Sequence, residues 1–389
     1  MKFFNADFSC IIFILMILYL GFKQGRDFME KTEKKRRKKL IIFLCIVLSL
    51  CIGFHFLFEY FSNVVCENLK SVAENTEYIE SENDKVKLGT YFEDINDIFE
   101  QSLELSKLAY EPENEDESKK VELEKIGYSN VMWYNNKPSE LYKHLLKKNK
   151  DASVMMSAVN VTVATKNLDN GDILVAVAFK GTDSSNINDD LSDMYKAVDK
   201  NGFHKGFMFN AKQFYNKSDK IIFNLNEKEV KLSKIISEMK NDNSKYKMLV
   251  TGHSLGAAIA DIYSGYFLKN DNVNDANIVT VTYGTPKSCS ESYSYDGNNI
   301  INVINTDDFV ATIGAEKHLG TCLYFTPSEE FRKQNYAEHY VEPNIYNSYS
   351  DLIKSAESSL VAHNLNMSYT PLVKELENNP SKYFDKTCQ

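Results

Sequence analysis

The chain has 389 residues, a formal net charge of −9, 43% hydrophobic and 25% charged residues. That balance excludes a disordered or fibrous chain and suits one sizeable folded domain with appendages. The charge is uneven. Residues 23–39 hold nine Lys/Arg against three Asp/Glu, so the rest of the chain is acidic. An acidic body lacks the basic face that nucleic-acid binding needs, and no nucleic-acid partner is expected.

Residues 40–61 (LIIFLCIVLSLCIGFHFLFEYF) form an apolar run long enough to cross a bilayer, for which about 20 residues suffice. An earlier run, residues 8–22, spans only when extended back to residue 3. Between them lies the basic loop 23–39 with Lys34-Lys35-Arg36-Arg37-Lys38-Lys39. The positive-inside bias puts that loop in the cytoplasm and everything after residue 61 on the opposite side of the cell membrane. Residues 1–61 are thus expected to be a membrane anchor of one or two helices, about 3–22 and 40–61. Residues 62–95 are polar and are expected to be a stalk.

Residues 95–110 carry Ile98, Phe99, Leu103, Leu105 and Leu108 at helical spacing. The stretch 111–120 is charged and predicts a solvated loop. Residues 153–165 alternate in places like a strand, and Asn170-Gly171 predicts a hairpin turn. Residues 173–179 (ILVAVAF) are a continuous apolar run, as for a strand covered on both faces. A short polar helix is expected within 186–200, and helices over 206–216 and 232–239. Further buried strands are predicted at 246–250, 278–283 and 300–304, with a helix at 257–268. Strands alternating with helices imply a mostly parallel central sheet with helices on both faces.

Gly252-His253-Ser254-Leu255-Gly256 lies between the strand at 246–250 and the helix at 257–268. This is the context that a G-x-S-x-G nucleophile elbow requires. The alternative is a glycine-rich turn with Ser254 as a passive polar residue. A serine hydroxyl is a poor nucleophile without a base, usually a histidine oriented by a carboxylate. In α/β-hydrolases the chain order is Ser, then Asp or Glu, then His. Asp307 and Asp308 both sit at the end of the 300–304 strand, where a turn-forming aspartate is also common. Three histidines follow, His318, His339 and His363. His318 is tethered too near the aspartates, which leaves His363 preferred and His339 second. An oxyanion hole needs two converging N–H donors. Leu255, the residue after the serine, supplies one, and Gly181-Thr182 at the end of the 173–179 strand is placed to supply the other. The seven cysteines show no C-x-x-C and no zinc spacing. Cys66, Cys289, Cys322 and Cys388 are expected to be free, and no metal or cofactor is expected.

Several segments in order resemble the class 3, or fungal-type, lipases. Ala178-Phe179-Lys180-Gly181-Thr182 is similar to that family's oxyanion strand and loop, and His204-Lys205-Gly206-Phe207 to the segment after its lid. Gly252-His253-Ser254-Leu255-Gly256-Ala257-Ala258 is similar to its elbow, and Tyr283-Gly284-Thr285-Pro286 to its next strand end. Asp308-Phe309-Val310 resembles the position of its catalytic aspartate, His318-Leu319-Gly320 a non-catalytic motif, and Ala362-His363 with Tyr369 its C-terminal histidine segment. The likeness spans roughly residues 96–375, within a catalytic domain taken as 96–389. It implies an α/β-hydrolase fold and a lipid ester as substrate, with Ser254, Asp308 and His363 catalytic and Thr182 and Leu255 as the oxyanion hole. The alternatives are a phospholipase A acting on the membrane that holds it, and a silent hydrolase fold used for binding. Two departures stand out. The stretch 184–193 is acidic where the family commonly carries a tryptophan, and Ala311 replaces a usual proline.

Overall fold

A computed structural model of the chain describes residues 95–110, 116–136, 159–182, 198–295, 299–336 and 360–378. The expected membrane spans, the basic loop, the stalk, the acidic stretch 184–193 and His339 all lie outside the described residues. Among the described residues no helix is long and apolar enough to cross a membrane.

Seven strands form one sheet in the order β1-β2-β3-β6-β7-β8-β9. They are β1 (Ser129–Asn136), β2 (Val159–Asn167), β3 (Ile173–Phe179), β6 (Tyr246–His253), β7 (Ile278–Tyr283), β8 (Ile300–Asn305) and β9 (Thr321–Phe325). A separate small hairpin pairs β4 (Ile222–Leu225) with β5 (Lys228–Lys231). The five strands β3, β6, β7, β8 and β9 run parallel, and β2 pairs antiparallel with both β1 and β3. The β2–β3 hairpin turns at Asn170-Gly171, where the sequence predicts it. Gly171 takes φ 86° there, a left-handed conformation that glycine adopts at no steric cost.

Both faces of the sheet are covered, and side chains of period two divide between them. On β3, Ile173, Val175, Val177 and Phe179 join one core, and Leu174, Ala176 and Ala178 the other. The first core is closed by α3 (Lys205–Tyr215), α4 (Leu232–Glu238) and α5 (Leu255–Ile262), and the second by α1 (Ile95–Leu108) and α7 (Thr370–Asn378). Every residue of β3 is buried. At roughly 1.5–3 kcal/mol for each fully buried Val, Leu, Ile or Phe, that strand alone is a large part of the driving force.

The differences from expectation lie at the edges. The sheet's outer strands, β1 and β9, are only half-buried in most places, so neither carries an apolar run. The stretch expected as a loop at 111–120 contains the start of α2 (Asp116–Lys125). Leu123 is the apolar side chain that α2 buries, too little for a periodic signal. The elbow helix begins two residues earlier than expected and widens into π turns over Tyr263–Leu268. A further helix, α6 (Glu329–Asn335), is capped by Ser328, whose Oγ accepts from Phe331 N at 3.1 Å.

Candidate active site

Ser254 stands between the end of β6 and the start of α5 with φ 59° and ψ −132°. A positive φ at a residue with a Cβ is strained and persists only where the surroundings over-determine it. Here the surroundings are close backbones. The Ser254 N–H donates to Tyr283 O at the end of β7 (3.0 Å), and Ser254 O accepts from Ala257 N (3.0 Å). A Cβ on Gly256 would run into the carbonyl oxygen of Phe179 at the end of β3, so only glycine lets the helix start this near the sheet. The hydroxyl of Ser254 is buried and has no hydrogen-bond partner.

Asp308 follows β8 and is fully buried. Its Oδ1 accepts from Val310 N at 2.9 Å, capping the short turn Phe309–Thr312. Its Oδ2 stands 2.8 Å from His363 Nδ1 and accepts from the Tyr369 hydroxyl at 2.6 Å. The carboxylate therefore fixes the tautomer: Nδ1 of His363 carries the proton, and Nε2 presents a lone pair. That Nε2 is buried and has no hydrogen-bond partner, like the serine hydroxyl. A Cβ on Gly284 would lie 2.7 Å from Asp308 Oδ2 and 3.0 Å from His363 Nδ1. The pair thus sits directly over the residue after Tyr283, whose carbonyl holds Ser254.

His363 precedes Asn364, whose side-chain oxygen accepts from Asn366 N and Met367 N. That cap starts the π turns of Leu365–Tyr369 leading into α7. Ser368 Oγ and Tyr336 OH both accept from Asn305 Nδ2, at 2.7 and 2.5 Å. The segment that delivers the imidazole is in this way anchored to the end of β8, beside the carboxylate.

The remaining candidates separate clearly. Asp307 turns away from the site into a two-point ion pair with Arg332 on α6, at 2.7 Å from both Nε and Nη2. His318 Nε2 faces Thr285 O at 2.8 Å, and burial lowers its pKa to about 4. His204 stacks on Phe207 with ring centroids 4.1 Å apart, and burial lowers it to about 4 as well. Both are neutral, His204 buried in the core and His318 half-buried. Gly181, the residue before Thr182, is pressed against the elbow: a Cβ there would lie 2.5 Å from His253 O. Leu255 is the first residue of α5. The loop after β3 and the N-terminus of α5 therefore meet at the serine. Cys289 and Cys322 are free. Among the described residues no His, Cys, Asp or Glu group is arranged to hold a metal ion.

Sequence reasoning assigned no contact to Tyr369 and overlooked Tyr110. The Tyr110 hydroxyl lies 2.8 Å from His253 Nδ1. A signal was present along α1 and the turn that follows it. Ser102, Ser106 and Tyr110 recur every four residues, and they meet Tyr283 OH, Thr251 Oγ1 and His253 in turn.

Residues 176–318 match the family model for class 3 lipases. This stretch resembles the class 3 lipases. A comparison with curated proteins gives no match. Among solved structures the chain is similar to a Rhizomucor miehei lipase–propeptide complex carrying a deletion, at 17% identity over 60% of this chain and 67% of that one, TM-score 0.40. It is similar to lipase II from Rhizopus niveus at 17% identity over 60% and 81%, TM-score 0.40. It is also similar to a lipase from Rhizopus microsporus var. chinensis at 15% identity over 64% and 83%, TM-score 0.40. The family match supports a carboxylic ester hydrolase whose substrates are lipid esters. The family match contains Ser254 and Asp308 and ends before His363.

Proposed function

We propose that the protein is a membrane-anchored serine hydrolase that cleaves acylglycerol-type lipid esters with a Ser254–His363–Asp308 triad. Nε2 of His363 takes the Ser254 proton as Oγ attacks the ester carbonyl. The same nitrogen returns the proton to the leaving alcohol, and a water then repeats the sequence on the acyl-enzyme. Asp308 holds the imidazolium by Nδ1. The Leu255 N–H and the Thr182 segment face the developing oxyanion. No step calls for a metal or cofactor. One observation carries this proposal: Ser254 Oγ and the Nε2 of the Asp308-held His363 are both buried and unbonded, and Tyr283 and Gly284, next to each other in the chain, hold the one and lie under the other.

The anchor rests on residues 40–61 and the basic run 34–39, with the catalytic domain on the extracytoplasmic side. Tethering raises the local concentration of bilayer lipid. That favours, as a second reading, a phospholipase A acting on the membrane that holds it. A head-to-head assay of phospholipid against neutral glyceride separates the two.

The decisive experiment is Ser254→Ala in the full chain. Hydrolysis of short-chain p-nitrophenyl esters and labelling by a fluorophosphonate probe are both expected to vanish, with the melting temperature kept. Activity equal to that of the unmodified protein rules out the mechanism. A folded unmodified protein that never labels supports a silent binding domain instead.

A further inference from the structure

His253, next to the serine, is buried and lies between two polar partners. Its Nδ1 is 2.8 Å from the Tyr110 hydroxyl, and its Nε2 is 2.7 Å from the main-chain oxygen of His363. Burial, reinforced by His363, holds its pKa well below the ordinary histidine value, so the ring is neutral. A neutral imidazole has one donor and one acceptor nitrogen. A carbonyl oxygen only accepts, so Nε2 carries the proton and donates to His363 O. Nδ1 is then the acceptor, and Tyr110 donates to it. Hydrogen bonds run in one direction from phenol to imidazole to peptide.

The same phenol touches the other half of the site. A Cβ on Gly181 would collide with the Tyr110 hydroxyl, so the turn carrying Gly181-Thr182 rests against it. The rings of His253 and His363 lie face to face at a tilt of 32°, with centroids 4.4 Å apart. Ser254, the segment of His363 and the loop after β3 are therefore all in contact with one Tyr110–His253 unit.

We propose that Tyr110 and His253 form a positioning relay that holds the main chain of His363, and the Gly181 turn with it, in register with Ser254. Neither residue touches the reacting atoms. The relay presupposes the serine hydrolase chemistry proposed above, and it acts through His363. Losing the phenol frees Nδ1 to take the proton, and the alternative tautomer cannot donate to His363 O. The base then loses its main-chain tether while its contact with Asp308 remains.

The test compares the full chain with Tyr110→Phe, His253→Phe and the double variant. Each is assayed on a short-chain p-nitrophenyl ester and melted, and the unmodified chain, Tyr110→Phe and His253→Phe are observed by 15N-histidine NMR. Tyr110→Phe is expected to lower kcat about tenfold with KM within about twofold, the scale of one lost hydrogen bond. His253→Phe is expected to lower kcat further, and the double variant to match His253→Phe, because residues acting as one unit are not additive. The signal absent in His253→Phe identifies His253. It is expected in the Nε2–H form in the unmodified chain and shifted toward Nδ1–H in Tyr110→Phe. Additive losses, an unchanged kcat in Tyr110→Phe, or a loss confined to KM overturn the relay. So does an Nδ1–H tautomer in the unmodified chain. That last observation decides the relay even where the unmodified protein neither hydrolyses ester nor labels, an outcome that defeats the Ser254 chemistry instead.

Discussion

Ser254 reaches its position through a few consecutive residues, from the end of β6 to the start of α5. His363 reaches its position through contacts with residues 55 and 110 places away in the chain. The turn of the elbow is thus a local product of two glycines, a buried strand and a helix start, and the ends of β3 and β7 need only hold the strained serine in place. The imidazole is a tertiary product, held on its ring by Asp308 and on its peptide by His253. The difference teaches where each half is vulnerable. The elbow fails if its own backbone is crowded, whereas the placement of His363 fails if any one of several distant partners is lost.

The largest expected effect is at the imported half. Asp308→Asn leaves the shape but removes the charge that fixes the His363 tautomer, and kcat is expected to fall roughly ten-thousand-fold. Fluorophosphonate labelling rates, measured beside the melting temperature, separate this from unfolding. A loss smaller than about tenfold means the pair is structural. Tyr369→Phe removes one hydroxyl from Asp308 Oδ2. A hydrogen bond to a charged group contributes about 1.5–3 kcal/mol, so a drop in kcat of about 10–100-fold is expected with the serine still labelled.

The pH dependence of stability tests the buried histidines on both sides of the comparison. His204 and His318 have folded pKa values lowered from 6.5 to about 4, and His253 is lowered too. The unfolded chain binds these protons first as pH falls. The contribution of His204 and His318 is complete above pH 6.5 and is lost as pH falls toward about 4, at about 1.4 kcal/mol per pH unit for each ring, and that of His253 is lost in the same direction. Melting temperatures from pH 8 to pH 4 should be level at first and then decline. Replacing His204 by Phe should make the decline shallower; an unchanged slope would show that His204 is protonated in the fold.

The smallest effect on activity is expected at the neighbouring aspartate. Asp307 pairs with Arg332 outside the site, with side chains 21% and 16% exposed. Asp307→Asn should cost about 1–3 kcal/mol of stability and leave kcat within about twofold. A collapse of kcat in Asp307→Asn would mean that the two adjacent aspartates cannot be told apart by what they touch.

Much of the fold was legible because burial writes itself into sequence. The run Ile173–Phe179 and the run Ile278–Tyr283 are strands with the bounds their apolar residues mark. Legibility failed where burial is partial. β1 and β9 sit at the sheet edges, and α2 buries only Leu123 among its apolar residues. For the site, the strand-end position alone left Asp307 and Asp308 equal. The resemblance favoured Asp308, and their opposite surroundings separate them. Tyr110 escaped notice because its use depends on His253, 143 residues later in the chain.

By itself the sequence determined the strand–turn–helix around Ser254, because strand periodicity and glycine geometry act over a few bonds. It also marked the apolar and basic runs of the first 61 residues, whose character is a matter of composition alone. Only the tertiary structure decided that His363 comes to the carboxylate of Asp308, that Tyr369 and Val310 complete that carboxylate's bonds, and that His318 does not take part. Periodicity along the chain does not name the distant partners that such hydrogen bonds join. Those bonds exist only once the sheet has set the ends of β3, β6, β7 and β8 side by side.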